Sequence, residues 1–355
     1  MLVRQRISAG LSQSYFVKRY RCSGFHDFLW YYCRVALQAI RFLFAGGYWL
    51  PAKHSSIFEK RKEKTIMRRT LTIVLALVMV LSLCACGASS NVDVAAAQNI
   101  ADLKGAKIAA QAGTFHADAM MQIEDVNSST YPEFADLLTA LKAGTIDGYV
   151  AEEPTAIEVC LGDDTLAYLP LVNNETGFSA TDADVGIAVG LKTGSELREQ
   201  INAILAEIPA ETRSELMNQM VQLSAGKEVT ELVLTSEAPA EPVGTLKVAM
   251  ECAYAPFNWT DMGEASIGAV AISGEGKEGM YANGYDVQIA QYVANKLGMN
   301  LEIYSIEWDG LLPALESGTV DAIIAGMSPT AEREEQIDFT NVYYSSNLVI
   351  IYKKN

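Results

Sequence analysis

A fourteen-residue stretch occurs twice in this chain of 355 residues, once in each half. Residues 138–151 read LTALKAGTIDGYVA and residues 312–325 read LPALESGTVDAIIA, with seven positions identical. Each copy spells the same structural sentence. Leucines at helical spacing (Leu138 and Leu141; Leu312 and Leu315) make a short amphipathic helix. Gly144 or Gly318 follows, where a helix stops on a left-handed residue. A threonine and an aspartate come next, then a buried apolar strand at 149–151 or 322–325. A helix–cap–strand unit used twice predicts an α/β protein with two similar lobes. Ligands of open α/β sheets lie beyond the carboxyl ends of the strands. The residues after each copy, Glu152-Glu153 and Gly326-Met327-Ser328, are therefore the first candidates for a site.

The formal net charge of −16 conceals a split. Residues 1–69 hold 14 of the 27 lysines and arginines but 3 of the 43 acids. From Cys86 onward 13 basic residues face 40 acidic ones, a balance that argues against nucleic acid and against a polyanionic ligand. Met67-Arg68-Arg69 followed by the apolar run 71–83 reads as a signal peptide at 67–85, too short to span a bilayer. Its end, Leu83-Cys84-Ala85-Cys86-Gly87, resembles the bacterial lipobox, which makes Cys86 the expected lipidation site. The expected product is anchored to the outer face of the cell membrane. Residues 1–66 do not fit a signal; they form an extension, with Met67 the expected initiator.

Of six cysteines, Cys160 and Cys252 remain in the body, and both read as buried thiols. Three histidines (His26, His54, His116) show no ligand spacing, so neither a metal nor another cofactor is expected. Residues 86–100 form a small-residue tether. A first α/β block occupies 101–225, with a strand at 107–111, a helix at 115–122, a strand at 184–191 and two helices at 194–206 and 210–223. Residues 226–244 mix a possible short strand with an Ala/Pro/Glu linker. A second block occupies 245–355, with strands at 246–250, 300–304 and 347–352, a Gly-rich polar loop at 261–283 and a helix ending at Leu297. Strands alternating with helices predict mixed, mostly parallel sheets with flanking helices.

Four features carry possible chemistry. Past the signal there are three arginines; Arg198 and Arg213 fall on expected surface faces, whereas Arg333 follows a repeat-end strand. Its planar guanidinium suits a carboxylate, or an exposed ion pair with Glu332, Glu334 or Glu335. Tyr254, Phe257, Trp259 and Trp308 stand at strand ends, to wall a pocket or to cap the core; the core reading is preferred for Phe257 and Trp259. Ala112-Gly113-Thr114 precedes a helix whose free N–H groups suit an anion. Glu152 and Glu153, as neighbours on an extended segment, point to opposite sides. No nucleophile–base pairing or phosphate loop accompanies them, so catalysis is not expected.

The second block's GTLKVAMECAYAPFNW, GYDVQIA and EWDGLLPALESGTVDAIIAGMSPTAEREEQIDFT, and the first block's ADLKGAKIAAQAGT, ALKAGTIDGYVAEEP and DVGIAVGLKTGSEL, resemble extracellular solute-binding proteins of the polar amino-acid ABC transporter type. The resemblance implies the two-lobed periplasmic-binding-protein type II fold. It implies that Arg333, Ser328 and the backbone near Gly326 hold a ligand α-carboxylate, with N–H groups of Thr114 and Phe115 from the other lobe. Glu152 would take the α-ammonium, Tyr254 and Trp308 would sandwich the side chain, and Glu251 would meet its polar end. Gln288 replaces an acid usual in the G-Y-D-V-x-I-A signature, and Phe115 stands where a hydroxyl residue is common. The resemblance also implies a membrane permease as partner, a small polar or cationic amino acid as ligand, and a monomer that is not an enzyme. A dehydratase on the same fold and a sensor's ligand-binding domain are the alternatives. The blocks stand in the reverse of the family's order, which implies either a circular permutant or a fragment of a longer chain.

Overall fold

The computed structural model describes residues 92–354; the extension 1–66, the signal 67–85 and Cys86 lie outside the described residues. Both repeat copies build the same joint. The first block supplies strands β1 (Ile108–Gln111), β2 (Ser129–Tyr131), β3 (Gly148–Glu152) and β4 (Leu166–Leu169). Helices α1 (Phe115–Met120), α2 (Phe134–Lys142) and α3 (Glu153–Gly162) alternate with them. The first copy closes α2 at Gly144, whose φ is +71°, and the second closes its own helix at Gly318, with φ +75°. Each aspartate of the repeat then locks the start of its lobe's first strand. Asp147 accepts from the Lys107 N–H at 2.7 Å and Asp321 from the Lys247 N–H at 2.9 Å, while their own N–H groups donate back to the same lysines' carbonyls. The shared Gly and Asp of the repeat are thus the helix stop and the strand clamp.

The chain then passes through helix α4 (Asp182–Val185) and crosses between lobes through β5 (Gly186–Ile187) and β6 (Gly190–Leu191), followed by helices α5 (Leu197–Ala206) and α6 (Ala210–Ser224). The second block contributes β7 (Thr245–Met250), β8 (Trp259–Met262), β9 (Val270–Ala271), β10 (Met280–Asn283), α7 (Tyr285–Lys296), β11 (Asn300–Ser305), α8 (Leu311–Glu316), β12 (Ala322–Ile323), α9 (Ala331–Glu334), β13 (Asp338–Phe339), β14 (Tyr344–Ser345) and β15 (Leu348–Lys353). Two five-stranded sheets result, ordered β2-β1-β3-β15-β4 and β11-β7-β12-β6-β13. They are the same sheet built twice: second strand, first, third, a borrowed strand, fourth. Each borrowed strand comes from the other block and runs antiparallel to its neighbours, β15 between β3 and β4 and β6 between β12 and β13. The two crossings lie side by side, because β14 pairs with β5 (Tyr344 with Ile187, Ser345 with Gly186). Gly186 is required there: a Cβ would stand 2.6 Å from both the Asp182 carbonyl and Val342 Cγ2. The two-lobed α/β fold with mixed sheets expected from the resemblance is the fold observed.

Several local expectations are corrected. The stretch 184–191 is broken into β5 and β6 around the crossing. The loop 261–283 contains β8, β9 and β10, an antiparallel three-stranded sheet ordered β8-β10-β9. Residues 226–244 hold no strand; Leu232 and Leu234 bury into the core instead. Glu153 does not continue an extended segment but opens α3, with Glu152 as its N-cap. Cys252 is buried, whereas Cys160 is only half-buried. Arg213 is a structural bracket rather than a surface charge: its guanidinium donates to the carbonyls of Leu205, Ile208 and Tyr343.

Candidate functional site

The carboxyl ends of β1, β3 and β7 and the segment after β12 converge on one cleft between the sheets. Gln111 ends β1, Glu152 ends β3 and Glu251 follows β7. Thr114 is the N-cap of α1 and Phe115 its first residue; the Thr114 hydroxyl donates to the Gln111 carbonyl at 2.8 Å. Gly326 takes φ +64° and lets the backbone pass against Tyr254, whose ring a Cβ would meet at 3.2 Å. The cleft encloses a cavity of about 20 Å³ whose lining includes Thr114, Phe115, His116, Glu152, Tyr254, Trp308, Gly326, Ser328 and Arg333. Eight of the nine candidate ligand residues line it; the ninth, Glu251, lies behind Gln111, which donates Nε2–H to Glu251 Oε1 at 2.9 Å.

Arg333 makes no ion pair with its glutamate neighbours among the described residues; it turns into the cleft. Nη1 donates to the Ser328 carbonyl at 2.9 Å and Nη2 to the Gly113 carbonyl of the opposite lobe at 3.0 Å. Trp308 lies under the guanidinium, 5.2 Å from its carbon, and donates Nε1–H to the same Gly113 carbonyl at 3.1 Å. Burial holds the Arg333 pKa below its ordinary value. Across the same cleft Phe134 stacks on Tyr254 with centroids 4.1 Å apart, and the Thr155 hydroxyl donates to the Ala255 carbonyl at 3.0 Å. The lobes therefore touch across the cleft at Gly113, at Phe134 and at Thr155. A cavity of this size holds about one water.

The opposite wall is acidic. Glu152 is 6% exposed; its Oε1 lies 2.9 Å from His116 Nε2, and its Oε2 has no hydrogen-bond partner. His116 Nδ1 and the Tyr254 hydroxyl are likewise buried without partners. Buried polar groups are normally paired, so three orphans on residues of one cavity mark a site built for polar contacts. Glu251 is pushed up to about 7, first by burial and further by Glu133 and Asp309 nearby, against the Gln111 hydrogen bond. It faces a second cavity, of about 210 Å³, whose lining includes Tyr131, Glu133, Glu307, Trp308 and Asp309.

Behind the site, Asp286 of the GYDVQIA stretch is fully buried. It accepts from the Tyr343 hydroxyl at 2.6 Å, from Asn258 Nδ2 at 2.9 Å and from the Gly326 N–H. Asn258 in turn accepts from the Cys252 N–H at 2.7 Å. This network pins the Gly326 segment to the Tyr254 loop, and burial raises Asp286 to about 7. Gln288 is buried away from the cleft and donates to the Gly268 carbonyl and Asn283 Oδ1. Phe257 belongs to the core. Gln111, His116 and Phe134 escaped the sequence reading. Gln111 directly precedes the Ala112-Gly113-Thr114 signal, but nothing local marks Phe134, which reaches the cleft through the packing of α2 on β1, β2, β3 and β15.

Two lobes are joined by paired crossings, and polar groups face each other across the cleft between them. Residues 273–355 match the family of bacterial extracellular solute-binding proteins, family 3. The arginine-binding extracellular protein ArtP of Bacillus subtilis is 42% identical over 81 residues, 23% of this chain and 32% of its own. A probable histidine-binding protein of Campylobacter jejuni is 35% identical over 112 residues, 31% of this chain and 37% of its own. Among solved structures, an ancestral cationic amino-acid solute-binding protein is 33% identical over 26% of this chain and 34% of its own, with a TM-score of 0.21. The chain spans about a third of the length of the curated relatives it matches.

Proposed function

We propose that this protein captures a small polar or cationic amino acid between its lobes as the substrate-binding component of an ABC importer. The observation that carries the reading is the polarity of one cavity. Arg333 stands on its lining with Ser328, and the unpaired Glu152 Oε2, His116 Nδ1 and Tyr254 hydroxyl belong to the same lining. A zwitterion is the guest that suits a cationic and an acceptor pole together, because a buried charge is costly unless paired. Thr114 and Phe115 then add N–H groups on the carboxylate side, and Trp308 and Tyr254 flank the side chain. Closure about β5 and β14 buries the guest and presents a joined surface to a membrane permease. Cys86 carries the lipid that keeps the receptor, as a monomer, at the outer face of the membrane.

Calorimetry of residues 86–355 against arginine, lysine, histidine, cystine and glutamate tests this. One-to-one binding of at least one amino acid is expected, and binding of none overturns the reading. The dehydratase alternative draws on Glu251, whose carboxyl is raised to about 7 and so can donate a proton. It requires turnover of a prephenate-like acid, and the acidic wall opposes such a dianion.

A further inference from the structure

We infer that His116 is a specificity-determining residue that accepts a hydrogen bond from the ligand's ammonium. The inference rests on the amino-acid reading of this site. Glu152 as a carboxylate can only accept, so the proton of the 2.9 Å contact belongs to His116 Nε2. In the neutral ring that leaves Nδ1 as an acceptor, and it is buried with no partner. Glu152 Oε2 and the Tyr254 oxygen are the other two orphans, and all three residues line one cavity. An ammonium brings three N–H donors, and the site holds three unspent acceptors.

The groups facing the ring are Glu152 from β3, the Tyr254 hydroxyl from the loop after β7, and, on the same cavity, Asp184 and Arg333; Asp118 lies on its own helix. The Phe134 ring meets it edge-on at a centroid distance of 5.7 Å, closing the apolar side. Among the described residues, Glu152 is thus the one group in hydrogen-bond contact with the ring.

The test is the dissociation constant of whichever panel amino acid binds, measured by calorimetry on wild type, His116→Phe and His116→Gln at one pH. His116→Phe keeps a ring against Phe134 but offers no acceptor, and its affinity is expected to fall about tenfold, the worth of one hydrogen bond. His116→Gln keeps an acceptor and a donor and should recover part of that loss. His116→Asn serves if the Gln variant fails to melt cooperatively. Binding by His116→Phe at wild-type strength, or equal affinities of the Phe and Gln variants, overturns the inference while leaving the amino-acid reading standing; failure of every amino acid to bind wild type overturns both.

Discussion

Replacing Arg333 separates charge from geometry at the site. The guanidinium carries five N–H donors in one plane. Two now reach the Ser328 and Gly113 carbonyls, at 2.9 and 3.0 Å, and the plane rests over Trp308 at 5.2 Å. On the proposed reading, a ligand carboxylate entering the cleft takes the Gly113 carbonyl's place and gains a paired, charge-assisted contact. Arg333→Ala removes one partner of that buried pair, and the expected loss of ligand affinity is about 3–5 kcal/mol. Arg333→Lys keeps the charge but not the fork, so one charge-assisted hydrogen bond is lost. That costs about 1.5–3 kcal/mol, or roughly ten- to a hundredfold in Kd. Calorimetry on the three proteins with the same amino acid reads both numbers. Unchanged binding by Arg333→Ala removes the residue from the site. Wild-type binding by Arg333→Lys, with weak binding by Arg333→Ala, refutes the geometric argument and leaves charge alone.

Three further outcomes follow from the packing. Burial raises Glu251 and Asp286 to about 7, above the ordinary carboxyl value of about 4; their contribution to stability is present below that ordinary value and lost as pH rises through about 7. Glu251→Gln should therefore flatten the fall in melting temperature between about pH 5 and pH 8, and an unaltered slope would contradict the assignment. Gly148→Ala places a Cβ 2.7 Å from Ile350 Cγ2 and 2.9 Å from the Ile351 carbonyl, at the seam where β15 joins β3. A destabilisation of about 1–3 kcal/mol is expected in urea unfolding, and a neutral result would show that the seam yields. Trp308→Phe keeps a ring under Arg333 but deletes the bond to the Gly113 carbonyl, worth about 0.5–1.5 kcal/mol. Small-angle scattering should report a more open average, with an unchanged radius as the refuting result.

How much of the site is legible depends on how local each cause is. Glu152, Ser328 and Arg333 are visible because each follows a repeat-end strand, and strand ends are where α/β sheets place ligands. His116 was set aside for want of metal-ligand spacing, since its partner Glu152 lies 36 positions away and meets it only when α1 packs over β3. Glu152 and Glu153 read as an extended pair because no sequence rule marks where β3 stops; Pro154 near the start of α3 is the one local sign. The strands in 261–283 were hidden by glycines that serve its turns, among them Gly263, Gly268 and Gly279, all with positive φ.

The repeat by itself determined the two joints, because a helix stop and a strand clamp are made within a few residues: Gly144 with Asp147, and Gly318 with Asp321. It determined that there would be two like lobes. It left open whether copies written in reversed order face each other. Only the tertiary structure decided that, by exchanging strands: β15 completes the first block's sheet and β6 the second's. Strand exchange is a long-range pairing between segments with no local signature of their partner, so periodicity cannot encode it. The same exchange brings Gly113 against Trp308 and Arg333, and it is in those contacts, between residues about two hundred positions apart, that the cleft becomes a site.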